Sequence, residues 1–235
     1  MNEQTHGPLP EAGVGRIGAS GIGEGRMLSA RERAYDGIHS GILNGDFPPG
    51  AFIEEAVACE VTGVSRTPVR EALNRLAAEG YLELHPRRGA MVRPLSGAEL
   101  RDLYEVRDLI ESHAVRAICR DGRPVPPEMA ALCDAHEALP AEEHLRHVEI
   151  NRLFHRALVA GAGNTVLLQV FDGLQANLTR VAMLSLRQGV GRNEVIEHEH
   201  RALIAALEAH DEAHALSVLD RHLKLMPRLM AALPG

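Results

Sequence analysis

The sequence predicts a mainly α-helical protein in two parts, with one small β-hairpin between them. From Ala30 to about Leu43 apolar residues recur every fourth position, and the chain after residue 96 also follows helical spacing. Between these regions, two β-prone pieces, "YLEL" and "AMVRP", enclose the turn sequence "HPRRG". A Ser-Gly-Ala-Glu capping box then begins a new helix at Ser96, which marks a natural domain boundary.

The composition is ordinary for a soluble globular protein and argues against several function classes. Of the 235 residues, 45% are hydrophobic and 24% are charged, which is enough for two modest domains with separate cores. Only 3% are aromatic and Trp is absent, so aromatic cages and stacking platforms are poor candidates. The three cysteines form no CxxC pair, and neither a signal peptide nor a membrane span is evident. We therefore expect a cytoplasmic protein without disulfides.

The N-terminal part is predicted to contain three helices and a hairpin. Residues 1–28 are rich in glycine and poor in large apolar residues, so we expect a disordered tail. The predicted helices cover residues 30–43, 54–61 and 66–79. Gly63 suits the left-handed end of the second helix, and Ser65 the N-cap of the third. With the hairpin, this order over residues 29–95 is typical of a winged helix-turn-helix domain.

The C-terminal part, residues 96–235, is predicted to be an all-α antiparallel bundle. Short breaks rich in Gly, Pro, Asn or Asp separate its helices, which is the pattern of neighbouring antiparallel helices. The predicted helices cover residues 97–119, 127–138, 142–160, 165–187, 194–209 and 212–232.

The third helix presents a polar arc behind its apolar stripe. At 100° per residue, Val69, Leu73 and Leu76 share one narrow face, whereas Arg66, Thr67, Arg70 and Asn74 share the opposite arc. On an arbitrary helix such an arc is usually just solvated. Here a helix and a tight turn precede it and a basic hairpin follows, which favours contact with DNA. The charge distribution agrees, because residues 65–93 carry six Arg against three Glu, on a chain of net charge −7.

The stretch "GVSRTPVREALNRLAAEGYLELHPRRGAMVRPLS" resembles the winged helix-turn-helix of the GntR family of bacterial transcription regulators. The resemblance implies that operator DNA is contacted from the recognition helix and from the tip of the wing. The implied contacts are Ser65, Arg66, Thr67 and Arg70 on the helix, and Arg88 and Gly89 at the wing, in the minor groove. Similar sequences often have Arg where this chain has Ala56, so one phosphate contact is expected to be missing.

Histidines in the C-terminal part suggest a metal site. Asn151 and His155 lie four residues apart and so neighbour each other on one helix, while His200 and His222 stand among apolar residues on two other helices. Three imidazoles and an oxygen ligand from facing helices can hold a divalent metal ion. The alternative is a set of hydrogen-bonded core histidines, and His147 and His198 are competing ligand candidates.

The same four residues match the ligand positions of the FCD domain of the FadR subgroup of GntR regulators, in which Asp often stands at the first position. The resemblance implies a divalent metal, with zinc expected and nickel or manganese as alternatives. The neutral Asn151 favours weaker affinity or a different ion.

Arg107 lies at the centre of an apolar helical stripe, and a buried guanidinium needs a partner. That partner is either Glu111, in a structural ion pair, or the carboxylate of a bound effector. Resemblance to metal-containing FCD domains, which bind small organic acids, favours the effector.

Together these features predict a DNA-binding transcription regulator, expected to be a repressor, rather than an enzyme. We expect it to bind a palindromic operator as a homodimer and to respond to a small carboxylate. The alternatives are a metal-dependent hydrolase, against which the absence of HExxH argues, another small-molecule-binding helical protein, and a module that uses the winged domain for protein contacts.

Overall fold

The computed structural model describes residues 28–187, 193–225, 227–231 and 233. Over these residues the protein is mainly helical with one small antiparallel sheet, and the predicted fold class is confirmed. The predicted disordered tail lies outside the described residues, apart from Leu28. No described helix has the length and apolar character needed to cross a membrane.

The N-terminal helices begin and end within one residue of the predicted bounds. They are α1 (Ala30–Asn44), α2 (Glu55–Thr62) and α3 (Arg66–Ala78). Gly63 ends α2 with φ of 65°, the left-handed conformation expected from the sequence. Ser65 occupies the N-cap position of α3, although its side chain makes no capping hydrogen bond.

The wing is a three-stranded sheet rather than the simple hairpin that the sequence predicted. Strands β2 (Leu82–His85) and β3 (Gly89–Val92) pair antiparallel, and β1 (Phe52–Ile53) adds to the other edge of β3. The two residues of β1 follow one residue after a Pro-Pro-Gly turn, and so short a strand has no alternating pattern to detect.

The C-terminal part is the predicted antiparallel bundle. The capping box at its start is confirmed: the Ser96 hydroxyl accepts from the Glu99 amide, and the Glu99 carboxylate accepts from the Ser96 amide. Its described helices are α4 (Gly97–Asp121), α5 (Glu128–Glu137), α6 (His144–Gly161), α7 (Thr165–Arg187), α8 (Asn193–Glu208), α9 (Glu212–His222) and α10 (Pro227–Ala231).

The prediction of one final helix over residues 212–232 is wrong. Helix α9 ends at His222, and α10 starts afresh at Pro227. Proline has no amide hydrogen to donate to the preceding turn, and its ring disfavours helical backbone just before it. It is well suited to the first position of a new helix.

The core of the winged unit continues into the bundle. Ile38, Val69 and Leu76 are almost completely buried, and they belong to the same apolar cluster as Val148 of α6 and Met183 of α7. The two parts therefore share packed side chains as well as a covalent connection. Because this core is closely packed, a displacement of α6 or α7 would also move the helices of the winged unit.

Candidate DNA-binding face and metal centre

Helix α3 presents the surface expected of a recognition helix. Val69 and Leu76 are fully buried and Leu73 nearly so, which anchors one side of the helix in the core. The side chains of Ser65, Arg66, Thr67 and Arg70 are all exposed on the other side. Buried Pro68 lies in the first turn, where its missing amide hydrogen removes no intrahelical hydrogen bond.

The wing tip carries the remaining two predicted DNA contacts. The Arg88 guanidinium lies 4.5 Å from the centre of the Phe52 ring, so a cation–π contact supports this side chain at the tip. Gly89 has φ of 90°, and a Cβ atom there would come within 2.6 Å of the Ile53 carbonyl oxygen. Both conditions favour glycine, which lets β1 approach β3 closely.

One groove separates α3 from the wing, and most of the predicted contacts line it. The groove residues come from the start of α2, from α3 and from the wing, and they include Glu55, Ala56, Arg66, Arg70, Asn74, Arg88 and Gly89. Arg70 also has a partner that sequence reasoning missed. Its Nε donates to Glu55 Oε1 at 2.5 Å.

Three of the predicted metal ligands converge inside the bundle. One ring nitrogen each from His155 of α6, His200 of α8 and His222 of α9 lie within 4.8 Å of one another. His155 and His200 are buried, and His222 is nearly so. Asn151, the fourth predicted ligand, lies one turn before His155 on α6. The competing candidates stay outside this cluster: His198 is exposed, and His147 pairs with His136 instead.

A carboxylate orients each of two imidazoles from behind. His155 Nδ1 lies 2.7 Å from Glu111 Oε2, and His222 Nδ1 lies 3.0 Å from Glu199 Oε2. Because an ionised carboxylate only accepts, each Nδ1 carries a proton, and in a neutral imidazole Nε2 then presents a lone pair. The two Nε2 atoms lie 3.1 Å apart. Lone pairs facing each other at this distance repel, and a cation that accepts from both removes that repulsion.

The other two predicted ligand atoms are buried without a hydrogen-bond partner. Asn151 Oδ1 and His200 Nε2 both have this status among the described residues. A buried polar atom with no partner costs roughly 1–3 kcal/mol, and a cation bound at these two atoms would remove that cost. The donor set of three imidazoles and one amide oxygen, with carboxylates behind two of the imidazoles, fits a divalent metal ion.

The protonation states also suit metal ligation. Burial lowers the pKa of His155 to about 4 and that of His200 well below its usual value. Burial alone would raise the pKa of the Glu111 carboxyl, but His155 and Arg107 outweigh it and lower that pKa to about 2. At neutral pH these imidazoles are therefore neutral and Glu111 is ionised.

Arg107 forms the structural ion pair that the sequence offered as the alternative to effector binding. Its Nε donates to Glu111 Oε1 at 2.6 Å, and Glu111 is fully buried. Glu111 therefore joins Arg107 to the candidate metal ligand His155 through its two oxygens. Arg107 nevertheless also lines a cavity of about 140 Å³ next to the histidines. Its assignment as an effector contact stays a prediction.

The cavity is bounded by the histidine cluster on one side and by a second histidine pair on another. Asn151, His155 and His222 line it, as do His136 and His147. His136 Nε2 lies 3.1 Å from His147 Nδ1, and His136 Nδ1 lies 2.9 Å from Glu197 Oε1. Sequence reasoning missed His136 and the carboxylate Glu199, because their partners come from other helices.

A winged three-helix unit with a basic groove, joined to a bundle with a histidine-lined cavity, defines the class of DNA-binding regulators with an effector domain. Residues 30–92 match the family "Bacterial regulatory proteins, gntR family", and residues 102–225 match the FCD domain. The chain thus belongs to the GntR family of bacterial transcription regulators and carries an FCD effector-binding domain.

Relatives over most of the chain support this assignment. The HTH-type transcriptional repressor GlaR of Escherichia coli is 30% identical over 86% of this chain and 96% of its own. The Nta operon transcriptional regulator of Aminobacter aminovorans is 32% identical over 75% of this chain and 84% of its own. The solved structure of E. coli McbR/YncC, 22% identical, has the same fold with a TM-score of 0.64 over 84% of this chain and 94% of that one. The relatives are regulators, so this chain is a transcription regulator and not an enzyme.

Proposed function

We propose that the chain is a repressor whose bundle holds a divalent metal ion and a small carboxylate effector that changes operator affinity. The observation that carries this proposal is the convergence of three imidazole nitrogens beside a cavity that two of those histidines, His155 and His222, help to line. The orphaned Asn151 oxygen and the carboxylates behind His155 and His222 support it further.

Zinc is the metal that this donor set favours, because imidazole nitrogens with one oxygen ligand suit it well. His155, His200, His222 and Asn151 would hold the ion. Since Asn151 is neutral and weaker as a ligand than a carboxylate, nickel and manganese are the alternatives to be tested. When bound, the ion supplies a positive charge and coordination positions that attract carboxylate oxygens.

The cavity limits the size of the effector. A cavity of about 140 Å³ accommodates roughly six to eight non-hydrogen atoms, the size range of small organic acids. Its polar wall also includes Arg152 and Lys224, both of which favour an anionic ligand. The Nε of Arg107 donates to Glu111, so a carboxylate held by the metal ion could meet only the terminal amino groups of Arg107.

The cavity wall offers a route from the effector to DNA. Val148, Ala182 and Leu186 line the cavity and also pack against the core of the winged unit. An effector that favours one arrangement of α6 and α7 therefore also favours one placement of the recognition helix. In a dimer, a different placement of α3 changes the separation of the two recognition helices.

A homodimer on a palindromic operator in the cytoplasm completes the proposal. Helices α4 and α7 pack together, and each leaves large apolar side chains exposed: Val106 and Leu109 on α4, Val166 and Val170 on α7. A second copy of the chain would cover such a surface. Repression is favoured by the function of the E. coli relative, which is a transcriptional repressor.

One binding experiment tests the proposed function. The full-length, metal-loaded protein is titrated onto a duplex that it selects from a random library, with and without each member of a panel of small organic acids. We expect at least one acid to change the dissociation constant about fivefold or more, and chelation to abolish that response. Selective DNA binding that no acid and no chelator alters would contradict the effector assignment.

A further inference from the structure

Glu55 and Arg70 form an ion pair that joins the start of α2 to the recognition helix α3. Glu55 lies in the first turn of α2, and Arg70 lies on the exposed arc of α3. The Arg70 Nε donates to Glu55 Oε1 at 2.5 Å, with the two side chains 62% and 30% exposed. Both residues line the groove between α3 and the wing. A carboxylate therefore stands on a surface where a DNA-binding protein usually has positive or neutral groups.

The pairing distinguishes Arg70 from its neighbour one turn earlier. In the described part of the chain Arg66 makes no ion pair, whereas Arg70 is paired with Glu55. The Arg70 hydrogen bond lowers the pKa of Glu55, and the charge of Arg66 adds to the effect. Glu55 is thus ionised at neutral pH and carries a full negative charge into the groove.

The ion pair leaves Arg70 suited to reading a base edge. A guanidinium has five N–H donors, and with Nε bound to Glu55 the two terminal amino groups remain available. Two parallel donors are what guanine requires at O6 and N7 in the major groove. The side chain is also held in one orientation before DNA arrives, which reduces the entropy lost on binding.

The same carboxylate opposes contact with the DNA backbone. If Arg70 turned to a phosphate without leaving Glu55, a carboxylate and a phosphate would lie close together and repel. If it left Glu55, the ion pair would be lost. Specificity commonly arises from such penalties on the wrong complex as well as from contacts in the right one.

From this geometry we propose that Glu55 is a positioning residue for operator specificity: it holds Arg70 for a guanine edge and disfavours phosphate binding. The proposal rests on the proposed role of α3 in DNA reading. It assigns a function to an acidic residue beside Ala56, the position where the expected phosphate-binding Arg is absent. Both features, the carboxylate of Glu55 and the absence of Arg at position 56, weaken contact with the DNA backbone and leave base contacts as the main source of specificity.

The test compares Glu55→Gln with Glu54→Gln. Both variants remove one negative charge at the start of α2, but Glu54 is exposed and its side chain makes no capping hydrogen bond. Fluorescence anisotropy gives the dissociation constants for a duplex selected from a random library by the wild-type protein and for a scrambled duplex. The ratio of the two constants is the specificity of each variant.

For Glu55→Gln we expect tighter binding to the scrambled duplex and a specificity ratio that falls about tenfold, the scale of one bidentate arginine–guanine contact. For Glu54→Gln both duplexes should bind more tightly by a similar factor, so that the ratio is unchanged. Exposed ion pairs contribute little to folding, and thermal unfolding should therefore be the same in both variants.

Base substitutions in the selected duplex provide a second readout that a structural defect would not imitate. Arg70→Ala should lose discrimination at one base pair per half-site, and Glu55→Gln should lose it at the same base pair. The double variant should lose little more, because the two residues act as a unit. Equal ratios for Glu55→Gln and Glu54→Gln, or losses at base pairs where Arg70→Ala has no effect, would overturn the proposal. If the wild-type protein selects no duplex at all, the proposed DNA-reading role of α3 fails with it.

Discussion

The clearest consequence of the proposed metal site concerns Glu111, whose two oxygens contact two different residues. Glu111 Oε1 accepts from Arg107 Nε at 2.6 Å, and Oε2 lies 2.7 Å from His155 Nδ1. In Glu111→Gln an amide NH₂ group replaces one carboxylate oxygen. Its N–H groups then face either Arg107 Nε or His155 Nδ1, each of which is itself a hydrogen-bond donor. Arg107, 8% exposed, is then left without its counter-charge.

Two separate losses follow from that substitution. Breaking a buried ion pair by removing one partner costs about 3–5 kcal/mol of unfolding free energy. Losing the carboxylate that orients a histidine ligand lowers metal affinity about 10- to 100-fold. Urea unfolding of the chelated protein, followed by circular dichroism because the chain has no Trp, measures the first loss. Competition with a chelating dye measures the second.

Matched variants separate these two effects. Glu105→Gln, on an exposed position of the same helix, should change the unfolding free energy by less than about 0.5 kcal/mol. Combining Arg107→Met with Glu111→Leu replaces the ion pair by apolar groups, so stability should recover while metal affinity stays low. A Glu111→Gln protein that matches Glu105→Gln in both measurements would refute the reasoning.

Four further predictions concern the DNA-binding unit. Arg66→Ala should weaken binding to a selected duplex by about 1–3 kcal/mol in anisotropy titrations, and unchanged affinity would contradict the helix assignment. The wild type should show a shallow salt dependence, and Ala56→Arg, at an exposed groove position, should steepen the slope of log K against log salt by about 1. Gly89→Ala should cost about 1–3 kcal/mol in urea unfolding, because φ is 90° and the new Cβ would lie 2.6 Å from the Ile53 carbonyl oxygen. Burial lowers the pKa of His39 below 6.5, so the unfolded chain takes up that proton first and the folded state loses stability as the pH falls below 6.5. His39→Phe should therefore reduce the drop in unfolding free energy between pH 7 and pH 5, and the exposed His113→Gln should leave that drop as in the wild type.

Local patterns were sufficient for most of the fold. Apolar periodicity and capping residues placed α1, α2 and α3 within one residue, since both signals arise from neighbouring residues. Two elements were not predicted correctly, the strand β1 and the break between α9 and α10, because neither produces a recognisable sequence pattern. Strand β1 is too short to carry a pattern, and the break before Pro227 is hidden in an otherwise helical apolar spacing.

The candidate site was less accessible to sequence reasoning. Asn151 and His155 could be paired because they share a helix. His200 and His222 were candidates because each stands among apolar residues on another helix, and family resemblance supported all four. Glu199 and His136, in contrast, acquire their roles only from the packing of different helices. The same holds for Glu55, whose partner Arg70 is fifteen residues away on another helix. Contacts between residues on different helices follow no fixed spacing along the sequence, so sequence reasoning could not find them.

Metal content is the most direct test of the central claim that the bundle is a metal-dependent effector domain. Elemental analysis of the metal-loaded, desalted protein should find about one divalent ion per chain in the wild type and in His198→Ala, whose exposed side chain lies outside the cluster. His155→Ala should lose the ion and the response to organic acids while retaining non-specific DNA binding. Full metal occupancy in His155→Ala, or no bound metal in the loaded wild type, would contradict the account.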